Sequence, residues 1–425
     1  MGCTNSVHAL GKKKKKTSIP EVVVFVPSIR FPLQSDLHRA LKGLVPGDLA
    51  DKFSSLRNQI VLVAEDTGGS AIAELRRALN EYLAVLVGLT KKEYGLEGLI
   101  KFKWKNFQDG RQVWLCVANA WFEVLSIVHL MAMLTLSEAD SLLIPKDHSG
   151  SGIRVVSSDS KREAVDLLLK ASGYLQFCVR DLLTRIPLEI KKILPHGLQD
   201  GVLEALYIQA LGQGTEIQLG LAVECQNATL SVKRRLACEQ LIYFSQAYQC
   251  LLECGFNQDY GKKHLRFIKW KFLEAKAAAY YYHGLILDKD NEPSNPVGAV
   301  SCFLAAEELL AESRKARLSF CVAAPVTRAA PLWGAMKHLQ QKIPEVASRK
   351  SQMYGYLLEQ EKGLQELPEL PDFQLSLSPD DYELPEIDAV WDSEGWESLG
   401  QPLKEHLKDS EEDEVEAEIN DFERN

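Results

Sequence analysis

Two groups of residues in this sequence have types and spacing suited to chemistry. The first is at the N-terminus. Met1-Gly2-Cys3-Thr4-Asn5-Ser6 fits the pattern by which Gly2, freed of Met1, takes a myristoyl amide. Cys3 beside it is a thiol placed for thioester acylation. Lys12, Lys13, Lys14, Lys15 and Lys16 follow without a break. One myristoyl chain binds bilayers only marginally, with a constant of about 10⁴ M⁻¹, so a stable anchor needs a second signal. Two are present here: a second acyl chain on Cys3, and lysines worth about 1 kcal/mol each beside an anionic leaflet. The segment 1–19 is therefore read as a lipid and electrostatic anchor for the cytoplasmic face of a membrane. A nuclear signal or a solvated tail is the competing reading of the lysines alone.

The second group consists of candidate metal or catalytic residues, and it dissolves on inspection. Cys250 and Cys254 are one helical turn apart, but no second pair stands at ligand spacing. His264 and His283 are 19 residues apart. Gly212-Gln213-Gly214 lies in a helical pattern and is followed by no lysine, so it is not a phosphate loop. There is no G-x-S-x-G, H-E-x-x-H or calcium loop. The sequence is read as that of a non-enzyme with no cofactor, no metal and no small-molecule substrate. Nine dispersed cysteines without a regular framework indicate free thiols. The 425 residues carry a net charge of −9, unevenly placed: from Pro371 to the end there are 19 acidic residues against 3 basic ones. The remainder is only mildly basic, and five of its cations are the terminal lysine run. Nucleic acid is therefore not expected as a partner.

The elements that carry these residues are mainly helices. EVVVFVP (21–27) and NQIVLVAE (58–65) are β-branched runs and read as short strands. Nearly everything after them reads as helix. Ile72, Leu75, Leu79, Leu83 and Leu86 share one face, as do Leu168, Ala171, Leu175, Cys178, Val179 and Leu182. Val113–Leu136 has the length of a membrane span. Asn119, Glu123 and His129 in its middle argue for a buried helix instead. Lys262 to Arg317 reads as an antiparallel helical hairpin with Ala275, Ala278, Ala279, Gly284, Gly298, Ala299 and Ala305 at its seam. The last helical stretch, 332–367, is expected to be interrupted near Pro344. Residues 368–425 read as an acidic tail without a fold of its own. Its Trp391 and Trp396 suit either a docking motif or a segment folding back on the body.

Four stretches resemble the BRO (Bro-one) domain family of endosomal sorting adaptors. They are FKWKNF (102–107), REAVDLLLKASGYLQFCVRDL (162–182), LEALYIQALGQGTEIQL (203–219), and EAKAAAYYYHGLILDKDNEPSNPVGAVSCFLAAEELL (274–310). As an ordered set they cover roughly residues 20–365. The resemblance implies an elongated, boomerang-shaped helical domain over 20–367, with helical hairpins and a small N-terminal β element, of the short lipid-anchored type. It also implies a partner: the C-terminal amphipathic helix of an ESCRT-III-type subunit, docked in a groove during endosomal sorting. The matching groove positions are Leu219, Val232 and Leu236, for which core packing is the competing reading. Here the family's Leu-Ala-Gln-Ala-Gln-Glu appears as Leu211-Gly212-Gln213-Gly214-Thr215-Glu216, with two glycines that weaken a helix. The alternative function is a membrane-tethered helical scaffold that binds another client through the tryptophan-bearing tail.

Overall fold

A computed structural model describes residues 19–66, 72–108, 111–145, 155–255, 259–289, 295–332, 334–360 and 367–392. The chain opens with strands β1 (Glu21–Val22) and β2 (Phe31–Pro32), then helices α1 (Leu37–Leu41), α2 (Gly47–Asp66) and α3 (Ile72–Leu89). A hairpin of β3 (Lys101–Gln108) and β4 (Arg111–Ala118) leads into α4 (Ala120–Leu143). Helix α5 (Ser158–Phe177) runs through a π-helical turn, Cys178–Leu182, into α6 (Leu183–Arg185), with α7 (Leu188–Ile193) behind it. Long helices follow: α8 (Asp200–Glu224), α9 (Leu230–Glu253), α10 (Asp259–Leu287) and α11 (Pro296–Val322). The body closes with β5 (Arg328–Ala329), α12 (Gly334–Met353) and α13 (Gly355–Gln360). The fold is mainly α, as expected.

The helix starts follow capping chemistry. Asn119, Ser157, Thr229 and Asn295 each accept a backbone N–H three residues on, at the heads of α4, α5, α9 and α11. Pro296 sits at the first turn of α11, where its missing N–H costs nothing. Helix α4 is apolar on all sides and lies inside the domain, so its membrane-like length serves burial. The acid in its first turn, Glu123, is fully buried and accepts from Arg57 Nε (3.1 Å), Tyr82 Oη (3.1 Å) and Trp104 Nε1 (2.5 Å).

Five local readings differ from the structure. Asn58–Glu65 is not a strand but the second half of α2. Leu49, Phe53, Leu56 and Ile60 set a 3–4 spacing that outweighs β-propensity, and all four are buried. The first run is a strand only at Glu21–Val22, which pairs in parallel with Arg328–Ala329. The next two N–H groups, of Val23 and Val24, both go to Asp140 Oδ1 at 2.7 Å, so no ladder continues. The helix expected from Val113 starts only at Ala120, and residues 113–118 belong instead to the hairpin 101–118. It is antiparallel, with Lys101 opposite Ala118 and Trp104 opposite Leu115, and Phe102, Trp104 and Val117 face the core. Helix α12 passes through Pro344 without a break. Finally, the acidic tail is folded against the body as far as Asp392 and is described below.

The α10–α11 hairpin is as close as its small residues suggest. A methyl group at Gly284 would meet Phe303 Cε1 at 2.8 Å and Ala299 O at 3.1 Å. Ala306 is buried at that seam, and Ala305 only partly so.

Candidate partner-binding site

Of the candidate site residues, Gly2, Cys3 and Lys12 to Lys16 lie outside the described residues. The three groove positions fall on α8 and α9 but do not share one surface. Leu219 is interior, 1% exposed, in an apolar cluster with Ala237, Met336 and Leu339. The next residue, Gly220, lets α12 approach to van der Waals distance: a methyl there would meet Gly334 Cα at 3.1 Å. As placed, Leu219 is a packing residue, which a surface ligand would not reach. Val232, in contrast, is 46% exposed, and Leu236 is half-buried against the same cluster. On α9, spacings of four, three and four place Val232, Leu236, Glu239 and Tyr243 on one stripe.

What covers the lower part of that stripe is the tail. Residues 367–392 run as an extended strap across α9, α8, α5, α3 and α2. Alternate side chains face the body: Phe373, Leu375, Leu377 and Pro379 are partly buried, while Asp372, Gln374, Ser376, Ser378 and Asp380 are exposed. At α9, Arg235 Nη2 donates to Gln374 O (3.4 Å), and the Arg234 guanidinium stands 5.8 Å from the Phe373 ring centroid. Glu239, with no exposed surface, accepts from Arg235 Nε (2.6 Å), the Ser376 N–H (2.9 Å) and the Ser376 hydroxyl. Tyr243 Oη donates to Leu377 O at 2.7 Å. Burial, with the Glu239 carboxylate nearby, pushes that phenol up to about 12.

Further along, the Asp380 N–H donates to Leu169 O (3.2 Å). Tyr382 meets Tyr174 and Phe177 edge-on, with centroids 4.6 and 5.2 Å apart. Lys52 pairs with Asp388 at 2.6 Å. Burial raises that carboxyl, but the Lys52 hydrogen bond and the Val390 N–H hold it below its ordinary value. Trp391, 1% exposed, closes the strap: its Nε1 donates to Val85 O (2.9 Å) and its ring lies 4.9 Å from Tyr94. Of the two tail readings, folding back is the one realised at Trp391, whose indole is occupied within the chain. Trp396 lies outside the described residues.

Three glycines form the bed of the strap. A methyl group at Gly88 would overlap the Trp391 indole, one at Gly173 the Asp380 carbonyl, and one at Gly214 would meet Leu377 Cδ1 at 3.0 Å. The Gly-Gln-Gly of α8 is thereby explained. Gly212 admits Tyr243 and Phe244 of α9, and Gly214 admits the strap. Gln213 donates to Val23 O at 2.9 Å. The helix-weakening glycines cost local propensity and gain close packing.

The other titratable groups are structural. His264 Nε2 donates to Gln209 Oε1 (2.8 Å), the ring stacks on Phe25, and its value is pushed down to about 3, first by burial and then by the nearby His196. Lys263 Nζ donates to the carbonyls of Phe320, Ala323 and Pro325 and to Thr327 Oγ1, and burial lowers it to about 8. Cys254 Sγ donates to Cys250 O, and burial raises both thiols. No cluster of three or more metal-ligating side chains occurs among the described residues.

The site is thus a helix stripe on α9, exposed at Val232, with the strap lying along its lower part. A model of the BRO1-like domain family matches residues 45–352, and the chain belongs to that family. A curated relative, the BRO1 domain-containing protein BROX homolog of Caenorhabditis elegans, is 26% identical over 230 residues, covering 50% of this chain and 51% of the relative. The chain thus spans about half the length of that relative. Among solved structures, ALIX in complex with the SIVmac239 PYKEVTEDL late domain is similar at a TM-score of 0.62 and 15% identity, covering 86% of this chain and 50% of that one. An ALIX BRO1–CHMP4C complex is similar at 0.59 and 14% identity, covering 89% and 99%. A Bro1 domain described for endosomal targeting is similar at 0.52 and 14% identity, covering 90% and 96%. At these identities the structural likeness establishes the fold.

Proposed function

We propose that this chain is a non-enzymatic adaptor in endosomal sorting. It docks the C-terminal amphipathic helix of an ESCRT-III-type subunit on α9. It is held at the cytoplasmic face of endosomal membranes by acyl chains on Gly2 and Cys3 and by Lys12 to Lys16 against anionic lipid. The observation that carries the docking half is the stripe itself. Val232 is exposed on a helix of a BRO1-like fold, and Leu236 lies half-buried one turn on. An apolar stripe at helical spacing suits an amphipathic helix laid alongside. Family membership and the likeness to a BRO1 domain solved with CHMP4C support the same reading.

The test is fluorescence anisotropy with a labelled C-terminal helix of CHMP4C. Val232→Asp and Leu236→Asp are expected to weaken binding tenfold or more while the circular dichroism spectrum is kept. Unchanged affinity in both variants would remove the docking site. For the anchor, intact-mass spectrometry of protein from eukaryotic cells is expected to show a myristoyl adduct that is absent in Gly2→Ala. An unmodified N-terminus would refute the lipid anchor.

A further inference from the structure

The strap and the docking stripe meet at one place. Between Arg235 and Tyr243, α9 rises about 12 Å. Between Gln374 and Leu377, the strap advances about 10 Å. The contacts pair in order: Arg235 with Gln374, Glu239 with Ser376, Tyr243 with Leu377. The strap therefore runs alongside α9, in the same direction, down the stripe that begins at Val232 and Leu236. Its upstream side chains Leu370 and Phe373 pack on the apolar cluster that contains Leu219 and that Leu236 also packs on.

We propose that residues 367–377 are a resident, displaceable occupant of the partner site, latched at Ser376 and Glu239. This rests on the docking reading above. An amphipathic helix lying along α9 from Val232 toward Tyr243 would need the space that Phe373, Leu375 and Leu377 fill. The latch sits on the solvent side of the strap. Ser376 is exposed, yet its N–H and hydroxyl share one oxygen of Glu239, a carboxylate with no exposed surface. The other oxygen is taken by Arg235. A negative charge at position 376 would face a desolvated carboxylate and repel it. Below the latch, Tyr382 and Trp391 keep the strap attached, so a lifted segment stays at high local concentration and can return.

The test uses the full chain as wild type, Ser376→Asp, Glu239→Gln, the double variant and Phe373→Ala. Two quantities are read: hydrogen exchange over 370–377, and anisotropy with the labelled CHMP4C helix. A site blocked by its own chain binds in proportion to its open fraction. Ser376→Asp is expected to speed exchange in the strap tenfold or more and to tighten helix binding by a similar factor. Glu239→Gln in that background removes the repulsion and returns both readings toward wild type. Phe373→Ala lifts the strap by another route and tightens binding as well. Unchanged exchange in Ser376→Asp overturns the latch. Fast exchange with unchanged affinity overturns the strap as an occupant while leaving the docking reading intact. Failure of every variant to bind, with the strap shown to be open, overturns both.

Discussion

The notch for Trp391 allows a change of sign to be predicted. Gly88 is in the last turn of α3 but still helical, where alanine can gain up to about 1 kcal/mol over glycine. Here a methyl group at 88 would overlap the Trp391 indole, which is 1% exposed and donates to Val85 O. Gly88→Ala must therefore expel the indole or shift α3. Removing the indole by Trp391→Ala forfeits about 3–5 kcal/mol of packing and leaves a carbonyl short of its partner, worth about 1 kcal/mol. This loss falls on the strap rather than on the helical core. It should appear as local opening: the amides of Asp388 and Trp391, bonded to Ala84 O and Asp388 O, lose protection by about a hundredfold or more. In the Trp391→Ala background the three atoms nearest the added methyl, all of the indole, are gone, so Gly88→Ala is expected to turn stabilising by up to about 1 kcal/mol. The assay is hydrogen exchange by mass spectrometry together with a denaturant melt of the four chains. If Gly88→Ala destabilises equally with and without Trp391, the indole is not what requires glycine at 88, and the notch is refuted.

The remaining expectations are quicker to state. Gly173→Ala should release the middle of the strap through the Asp380 carbonyl, read as faster exchange over 378–383 with α5 still protected. Glu123→Ala strands the buried Arg57 guanidinium and should cost about 3–5 kcal/mol in a urea melt; a loss under 1 kcal/mol would contradict the pairing. His264, held neutral with a folded value of about 3, titrates near 6.5 when unfolded. Its unfolded form therefore binds a proton first. Stability contributed by the neutral ring is present above about pH 6.5 and is lost by about 1.4 kcal/mol per pH unit as the pH falls toward 3. A His264→Gln variant should show a shallower acid decline in its melting temperature than wild type.

Much of the helical body could be read directly. Helices α3, α5 and α8–α11 carry apolar residues at spacings of three and four, and caps such as Ser157 and Asn295 mark their starts. Such signals are local: they depend on neighbours one turn away. Asn58–Glu65 reads as a strand because a β-branched run looks the same in a short window whether it is a strand or the end of a long amphipathic helix. Only the upstream Leu49 and Phe53 decide between them. The hairpin 101–118 was hidden for a related reason. Its buried Phe102 and Trp104 alternate with lysines, a period of two that coincides with the family-like FKWKNF stretch and is too short to stand out by itself.

The strap was legible in pattern but not in destination. Phe373, Leu375 and Leu377 alternate with polar residues, which marks an extended segment with one covered face. Nothing within twenty residues tells which surface covers it, and the acidic composition pointed to an unfolded tail. The sequence alone carried the helix content and the family resemblance that implies Val232 and Leu236 as candidate positions, because periodicity and motif order are written into neighbouring residues. Tertiary structure alone decided that Leu219 is core, that Gly88, Gly173 and Gly214 are a bed for the strap, and that Ser376 meets Glu239 across 137 residues. These depend on which distant surfaces come within a few ångströms of each other, and only the packed chain holds that distance.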